Sequence, residues 1–491
     1  MKLKNTPSRV WTAVFLALVF LSMLLFFTVL HPVPIMDGDD MVLIVRPRPA
    51  IPIPNSWNPS RVLPETLMPL CGLFAGLAAA LGLGSFIDCQ IVSLASILAL
   101  FITLYAACFL RLLRRRFAQG RFASFCLTAL FLLLHFAVFR SEKEGNLHLF
   151  HSYDACCVFF YTIPALLNAS LLLYFLAEDD MPRLLSGSLA RSAALVTGLY
   201  FAIFSNLFGS AVLACFAAWR LLTGLLKRRP LRELALCGGI LLAWLCAALL
   251  EAVGGRAGSL TGSSSHLLEN IRPAWASLAA LLGTTGPLFR LLLAASVPGA
   301  LAALLLPRGR AARGALSRSL PAVLFCLVCA LPFHLLLAAA ATPMYAGRPE
   351  AAFPLFFLLL LLPLLTAAQL VRLFPRLAVL LPLAVLVSFS LTNTDVRTFA
   401  DSNPMQLNGK LVAAVENDIC EQILTAARAG EESVTVEVLR SGDLSANWPH
   451  NPYIGNVFAS IFLKFGLIDR PITVVSVPSE ALNARYGLTF P

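Results

Sequence analysis

Long apolar runs separated by short polar stretches dominate the chain. The first run, residues 12–30, follows Lys2, Lys4 and Arg9. Its apolar core is longer than the hydrophobic region of a signal peptide, and no small-residue cleavage site follows, so it reads as a retained signal anchor. Further runs of spanning length cover 88–110, 122–139, 155–176, 192–205, 207–225, 234–252, 287–306, 319–341, 351–372 and 376–393. A bilayer core takes about 20 apolar residues per helix, so the pattern predicts about eleven spans. Ser205-Asn206 interrupts one long run, which reads as a broken or tilted helix.

The stretch 66–84 is long enough to span but contains Pro69, Gly72, Gly76, Gly82 and Gly84. Charge decides its path. Arg111, Arg114, Arg115, Arg116 and Arg121 follow the 88–110 span, and short loops rich in Lys and Arg stay cytoplasmic. A single crossing by 66–84 would place that cluster and every later basic loop outside. The stretch is therefore expected to lie along the outer face or to re-enter, within an outer-face loop at 31–87. Both this loop and the carboxyl terminus are then outside, and the amino terminus is cytoplasmic.

The pattern changes after residue 393. Leu411, Val412, Val415, Ile419, Ile423 and Leu424 recur with a helical period inside 405–428. Val434, Val436 and Val438 alternate with polar residues, as in a strand. Residues 452–466 predict a second helix and Ile472–Val477 a second strand. The expected fold is a membrane all-α bundle over 1–393, followed by a small extracytoplasmic α/β domain over 394–491.

Composition narrows the class. The chain is 58% hydrophobic and 13% charged, with a mean hydropathy of +0.81, and soluble domains do not have this balance. The net charge of +11 follows from basic residues gathered at cytoplasmic ends, so no nucleic-acid partner is implied; the membrane lipids are the expected surroundings. All cysteines except Cys420 lie in or beside apolar runs. Cys326-x-x-Cys329 has no second pair, and helix packing accounts for it better than zinc. Acidic residues gather in the outer loops, which marks the outer face as the working face. Walker, Rossmann, HExxH and GxSxG patterns are absent.

The candidate chemistry lies in those loops. Asp37, Asp39 and Asp40 crowd together where the first span leaves the bilayer. Such a cluster suits base catalysis, with or without a metal. The bland alternative is a solvated helix end. Arg46 and Arg48 follow, either facing a phosphate or pairing with the acids to hold the loop. Arg61 opens the amphipathic stretch at headgroup depth and is the better phosphate ligand. On a helix, His148, His151 and Asp154 would share one face, a possible metal or acid–base surface; solvated loop histidines are the alternative. Glu251 precedes Gly254-Gly255-Arg256-Ala257-Gly258, and Arg348 lies in Tyr345-Ala-Gly-Arg-Pro-Glu350. Both arginines suit a donor phosphate or simply lipid headgroups.

This layout resembles the GT-C class of membrane glycosyltransferases. The resemblance rests on a first span followed by an outside loop with an acidic pair, here Asp39-Asp40, and then an amphipathic stretch, here Arg61 to Glu65. About eleven spans and an extracytoplasmic tail follow. Bacterial members carry a Trp-x-x-x-Arg element similar to Trp57–Arg61, and spans similar to Tyr161-x-x-Pro164-x-x-x-Asn168 and Ser205-Asn206. The match covers the membrane part, about four fifths of the chain. It implies a polyprenyl-phosphate-sugar donor, a glycan or lipid acceptor and inverting transfer at the outer face of a bacterial inner membrane. Asp39 would be the base, Asp40 would bind acceptor or metal, and Asp37 leaves the assignment among the three open. Arg61, Arg256 and Arg348 would bind the donor phosphate. Glu65, His148, His151, Asp154 and Glu251 are secondary candidates for acceptor or metal. Some members of the class use a divalent metal such as Mg or Mn and others do not. The readings from other classes are a polysaccharide polymerase or ligase, favoured by Arg256 and Arg272, and a lipid or solute transporter. A transporter would carry ionisable residues inside its spans and an internal repeat, neither of which is evident.

Overall fold

The computed structural model describes the chain except for residues 1–5, 36, 37, 46, 54, 55, 141–146, 151, 153, 179, 180, 182–187, 254–266, 306–309, 393–408, 441–453, 490 and 491. Among the described residues, nine helices are long and apolar enough to cross a membrane, and three shorter apolar helices accompany them. The protein is a multi-pass helical bundle whose apolar outer surfaces suit lipid.

The first helices set the frame. α1 (Thr6–Leu25) ends in a π-helical turn, Phe26–Leu30, and a six-residue helix, α2 (Gly38–Leu43), follows. Next come α3 (Val62–Ala80) and α4 (Phe86–Arg115). Ser85 caps α4 by accepting from the Asp88 amide at 3.0 Å. Arg114 and Arg115 lie in its last turn, where cations suit the helix dipole. At about 1.5 Å per residue α4 is about 45 Å long, more than a bilayer core. It runs antiparallel to α1: Arg114 Nη1 donates to Thr12 Oγ1 at 2.8 Å at one end, and the Ile35 amide donates to Gln90 Oε1 at 3.1 Å at the other. The end of α1 and the start of α4 therefore share one end of the bundle. α3, between them in sequence, begins beside Phe204 and Phe160 and ends just before α4, and its length and composition would allow it to cross.

The opposite end is held by buried and half-buried ion pairs. After α5 (Arg121–Phe136) and α6 (Ala155–Leu176), Glu178 receives Arg111 and Arg115. α7 (Leu189–Ile203), α8 (Leu207–Leu226) and α9 (Leu231–Val253) follow, and Glu233 receives Arg220 and Arg229. α7 and α8 form a hairpin, not one broken helix. Asn206 caps α8 through the Phe208 and Gly209 amides, so the chain can reverse there. Arg191 at the start of α7 reaches Tyr174 Oη at 3.0 Å, beside Arg111, and thus returns to the ion-paired end.

One helix lies in a region expected to be loop. α10 (Leu267–Gly283) buries Ala274, Leu278 and Leu281 and exposes Leu268 and Trp275. Its apolar positions are too widely spaced to register as a span. α11 (Pro287–Leu305), α12 (Arg310–Ala341), α13 (Pro349–Leu373) and α14 (Leu381–Thr392) complete the apolar part. α13 is the most enclosed of the long helices.

The C-terminal segment contains α15 (Gly409–Arg428), β1 (Ser433–Leu439), α16 (Ile454–Lys464), β2 (Thr473–Ser479) and α17 (Glu480–Arg485). The two strands pair in parallel with Ser433 opposite Thr473. Parallel neighbours need a crossover, and α16 provides it. Asn417 Nδ2 donates to Asp88 at 3.2 Å, and Lys464 Nζ donates to the Val45 carbonyl at 2.7 Å. The segment thus sits at the end of the bundle that carries α2.

Candidate functional site

The acidic turn and the start of α6 meet. Asp37 lies outside the described residues. Asp39 and Asp40 fall in the first turn of α2, and they differ: Asp39 is exposed and Asp40 is fully buried. Asp40 Oδ1 accepts the Cys156 amide at 2.5 Å, across 116 positions of sequence. Asp154 Oδ1 accepts the next amide, Cys157, at 2.5 Å. The first amides of a helix have no partner of their own, and the dipole favours negative charge there. Two carboxylates therefore cap one helix, one local and one brought in by the fold.

Asp40, Asp154 and Cys156 offer ligand atoms within 4.8 Å of one another. Asp40 and Asp154 are oxygen donors of the kind Mg and Mn take, and the Cys156 thiol is not. Each carboxylate accepts an amide through Oδ1.

About one helical turn further along α6 is a cleft of about 190 Å³. Phe160, Tyr161, Phe208, Leu337 and Tyr345 form apolar walls, and Ser60, Arg61, Asn206 and Glu251 are its polar residues. Phe160 and Tyr161 belong to a π-helical turn, Val158–Thr162, inside α6. Such turns are rare and are frequent at functional sites. Arg61 immediately precedes α3, with its guanidinium carbon 4.7 Å from the Phe160 ring centre. Glu251, at the end of α9, accepts from Ser60 Oγ at 2.6 Å. Among the described residues the cleft thus holds one cation and one carboxylate in an aromatic setting. Tyr200 Oη, which donates to the Ala50 carbonyl at 2.5 Å, and Trp57, packed on Phe204, tie the proline-rich loop to the same region.

The other candidates have structural partners. Glu65 is buried and lies 3.5 Å from Arg48, so Arg48 pairs with an acid and holds the loop. Arg46 lies outside the described residues. Arg348 is engaged by other side chains. Its Nε donates to Glu350 Oε1 at 2.5 Å and its Nη2 to Cys157 Sγ at 3.0 Å. It also stacks on Tyr161 and Tyr345, 5.4 and 5.1 Å from their ring centres. Burial works against its charge, but Glu350, Cys157 and Tyr161 outweigh burial and raise its pKa above the ordinary arginine value. Arg348 therefore braces two walls of the cleft from behind.

His148 does not share a helical face with Asp154. Residues 147–150 are not helical, and Asp154 is a cap rather than a helix-face residue. His148 is fully buried against Phe26, Phe136 and His31, with ring centres 5.8, 5.2 and 5.5 Å away. Aromatic packing thus replaces the expected open loop. His151 and Arg256 lie outside the described residues.

Sequence reading passed over Phe160, which no local pattern marks, and Ser60 drew notice only as part of the Trp57–Arg61 element. Tyr161, Asn206 and Tyr345 stand in stretches the sequence singled out, but their meeting depends on α6, α8 and the turn before α13. Comparison with protein-family models, with curated proteins and with solved structures gave no match.

Proposed function

We propose that this chain is an integral membrane glycosyltransferase. It moves a sugar from a polyprenyl-phosphate donor to a hydroxyl of a glycan or lipid acceptor, at the outer face of a bacterial inner membrane. The observation that carries this reading is the cleft: apolar, aromatic-walled and holding Arg61, one turn of α6 from the acidic turn. Apolar walls suit a lipid tail, and a planar guanidinium suits a phosphate diester. The basic loops gather at the other end of the bundle, which supports an outward-facing site.

In this scheme Arg61 holds the donor phosphate and the walls hold the first isoprene units. Asp39, the exposed acid of the described pair, takes the proton of the acceptor hydroxyl. The hydroxyl oxygen attacks the anomeric carbon, and the carbon–oxygen bond to phosphate breaks with its electron pair leaving on the phosphate. The anomeric centre inverts. Asp40 holds the turn against α6 while this happens.

The test uses full-length protein in lipid nanodiscs, a radiolabelled polyprenyl-phosphate sugar and an envelope glycan or lipid acceptor. A hydrogen-bonded charge contributes about 1.5–3 kcal/mol, so Arg61→Ala should raise the donor KM roughly ten- to a hundredfold. Arg61→Lys should restore only part of this, since a point charge does not replace a planar fork. Unchanged donor KM in both variants would remove Arg61 from the phosphate site. Absence of transfer with every donor and acceptor, alongside lipid or solute movement, would favour a transporter.

A further inference from the structure

The turn that carries Asp39 and Asp40 has little of its own to hold it. α2 is six residues long, far below the length at which a helix persists by itself. It is held from two sides. On one side Asp40 is bonded to the Cys156 amide. On the other, Ile44 lies directly on Gly72 of α3, where any Cβ would meet the Ile44 carbonyl oxygen. One turn along α3, Gly76 receives the ring of Phe465 in the same way. The pair Gly72-x-x-x-Gly76 is therefore a double seat, one place for the acidic turn and one for the C-terminal segment. Lys464, the last residue of α16, closes the gap between the two occupants by donating to the Val45 carbonyl at 2.7 Å. Phe465 also stacks on Phe86 at 6.3 Å, and Phe462 meets the same ring edge-on at 6.2 Å.

We propose that the C-terminal segment is a clamp on the acidic turn: Lys464 and Phe465, seated on Gly76, fix the exit of α2 so that Asp39 and Asp40 are held at the start of α6. Lys464 and Phe465 are positioning residues and touch no reacting atom. Gly72 meets the Ile44 backbone and Gly76 meets the Phe465 ring, and neither contact leaves room for a side chain on α3. Its consequence for turnover rests on Asp39 being the base. Its structural consequence, protection of the turn, does not.

The two can be read separately in one full-length protein in nanodiscs. Ile44→Cys places a thiol at a site that is 1% exposed, and the native Cys420, 3% exposed inside the C-terminal segment, serves as the internal control. Maleimide labelling is followed by mass spectrometry of the two peptides. In the Ile44→Cys protein both thiols should be protected. Adding Lys464→Ala and Phe465→Ala should raise labelling at position 44 about tenfold or more through local opening, while Cys420 stays protected. Gly76→Leu should do the same from the α3 side, and Lys464→Arg should keep protection. In the native Ile44 background the Lys464→Ala, Phe465→Ala protein should lose kcat with little change in donor KM. The clamp is overturned if position 44 stays protected in the double variant, or if it opens only together with Cys420. A protein that transfers no sugar at all would overturn the proposed function and still leave the labelling to decide the clamp.

Discussion

Asp39→Asn should lower sugar transfer about a hundred- to ten-thousandfold, the usual worth of a positioned general base. An acceptor hydroxyl is a weak nucleophile until its proton is taken, and Asn keeps the size and hydrogen bonding of Asp while removing that basicity. Donor binding and expression should remain near normal, because Asp39 is exposed and Arg61 lies on a separate element. Asp40→Asn serves as the contrast. Its side-chain oxygen can still accept the Cys156 amide, but the charge that suits the helix start is gone, so the loss should appear mainly in stability, on the scale of about 0.5–2 kcal/mol for a helix cap. Asp37→Asn should be the mildest of the three. The measurement is single-turnover transfer with the labelled donor at saturation. Full activity in Asp39→Asn with a dead Asp37→Asn or Asp40→Asn would mean the base is misassigned. Activity in all three would remove the acidic turn from the chemistry and direct attention to Glu251, the carboxylate of the cleft itself.

Glu350→Ala should destabilise the protein by about 3–5 kcal/mol, the range for a buried ion pair that loses one partner. The Glu350 side chain is fully enclosed and that of Arg348 is 18% exposed. Removing the carboxylate takes the Glu350 charge from a guanidinium that stacks on Tyr161 and Tyr345. Glu350→Gln should be intermediate, since it keeps an acceptor and loses the charge. The double change Arg348→Met, Glu350→Met should recover much of the loss, because well-packed apolar replacements of buried pairs are often neutral or better. Thermal unfolding in detergent, at fixed detergent and protein concentration, checks all three. If the double variant is as unstable as Glu350→Ala, the pair contributes through packing shape rather than through charge. If Arg348→Met instead abolishes donor binding at unchanged stability, Arg348 reaches the phosphate after all.

What the sequence by itself determined is local or additive. Apolar runs of spanning length placed the helices from residues 86 to 176 and from 207 to 253 within a few positions, because a helix crossing lipid must be apolar along its length. Alternating valines at 434–438 located β1, and a helical period located α15. Basic clusters sorted to one end because each short loop carries its own signal. The run across Ser205-Asn206 was seen as interrupted, but only the capping of α8 by Asn206, with Arg191 returning to Tyr174, makes it a hairpin.

Only the tertiary structure decided which acid is exposed and which is buried. Asp39 and Asp40 are neighbours of one type, and nothing local separates them. The difference comes from the amide of Cys156, far along the chain. The same holds for Arg61 and Arg348, both candidate phosphate ligands by sequence. One faces a cleft, and the other is engaged by Glu350 and Cys157. The helical face expected of His148 does not form, since residues 147–150 are not helical and His148 is buried beside Phe26 and Phe136. Gly72 and Gly76 read as helix-weakening residues in a doubtful span, yet each is a contact surface for a segment remote in sequence, Ile44 and Phe465. A periodicity records how a residue faces its own helix. It carries no record of which distant backbone will come to lie against it, and the arrangement of this site depends on those distant contacts.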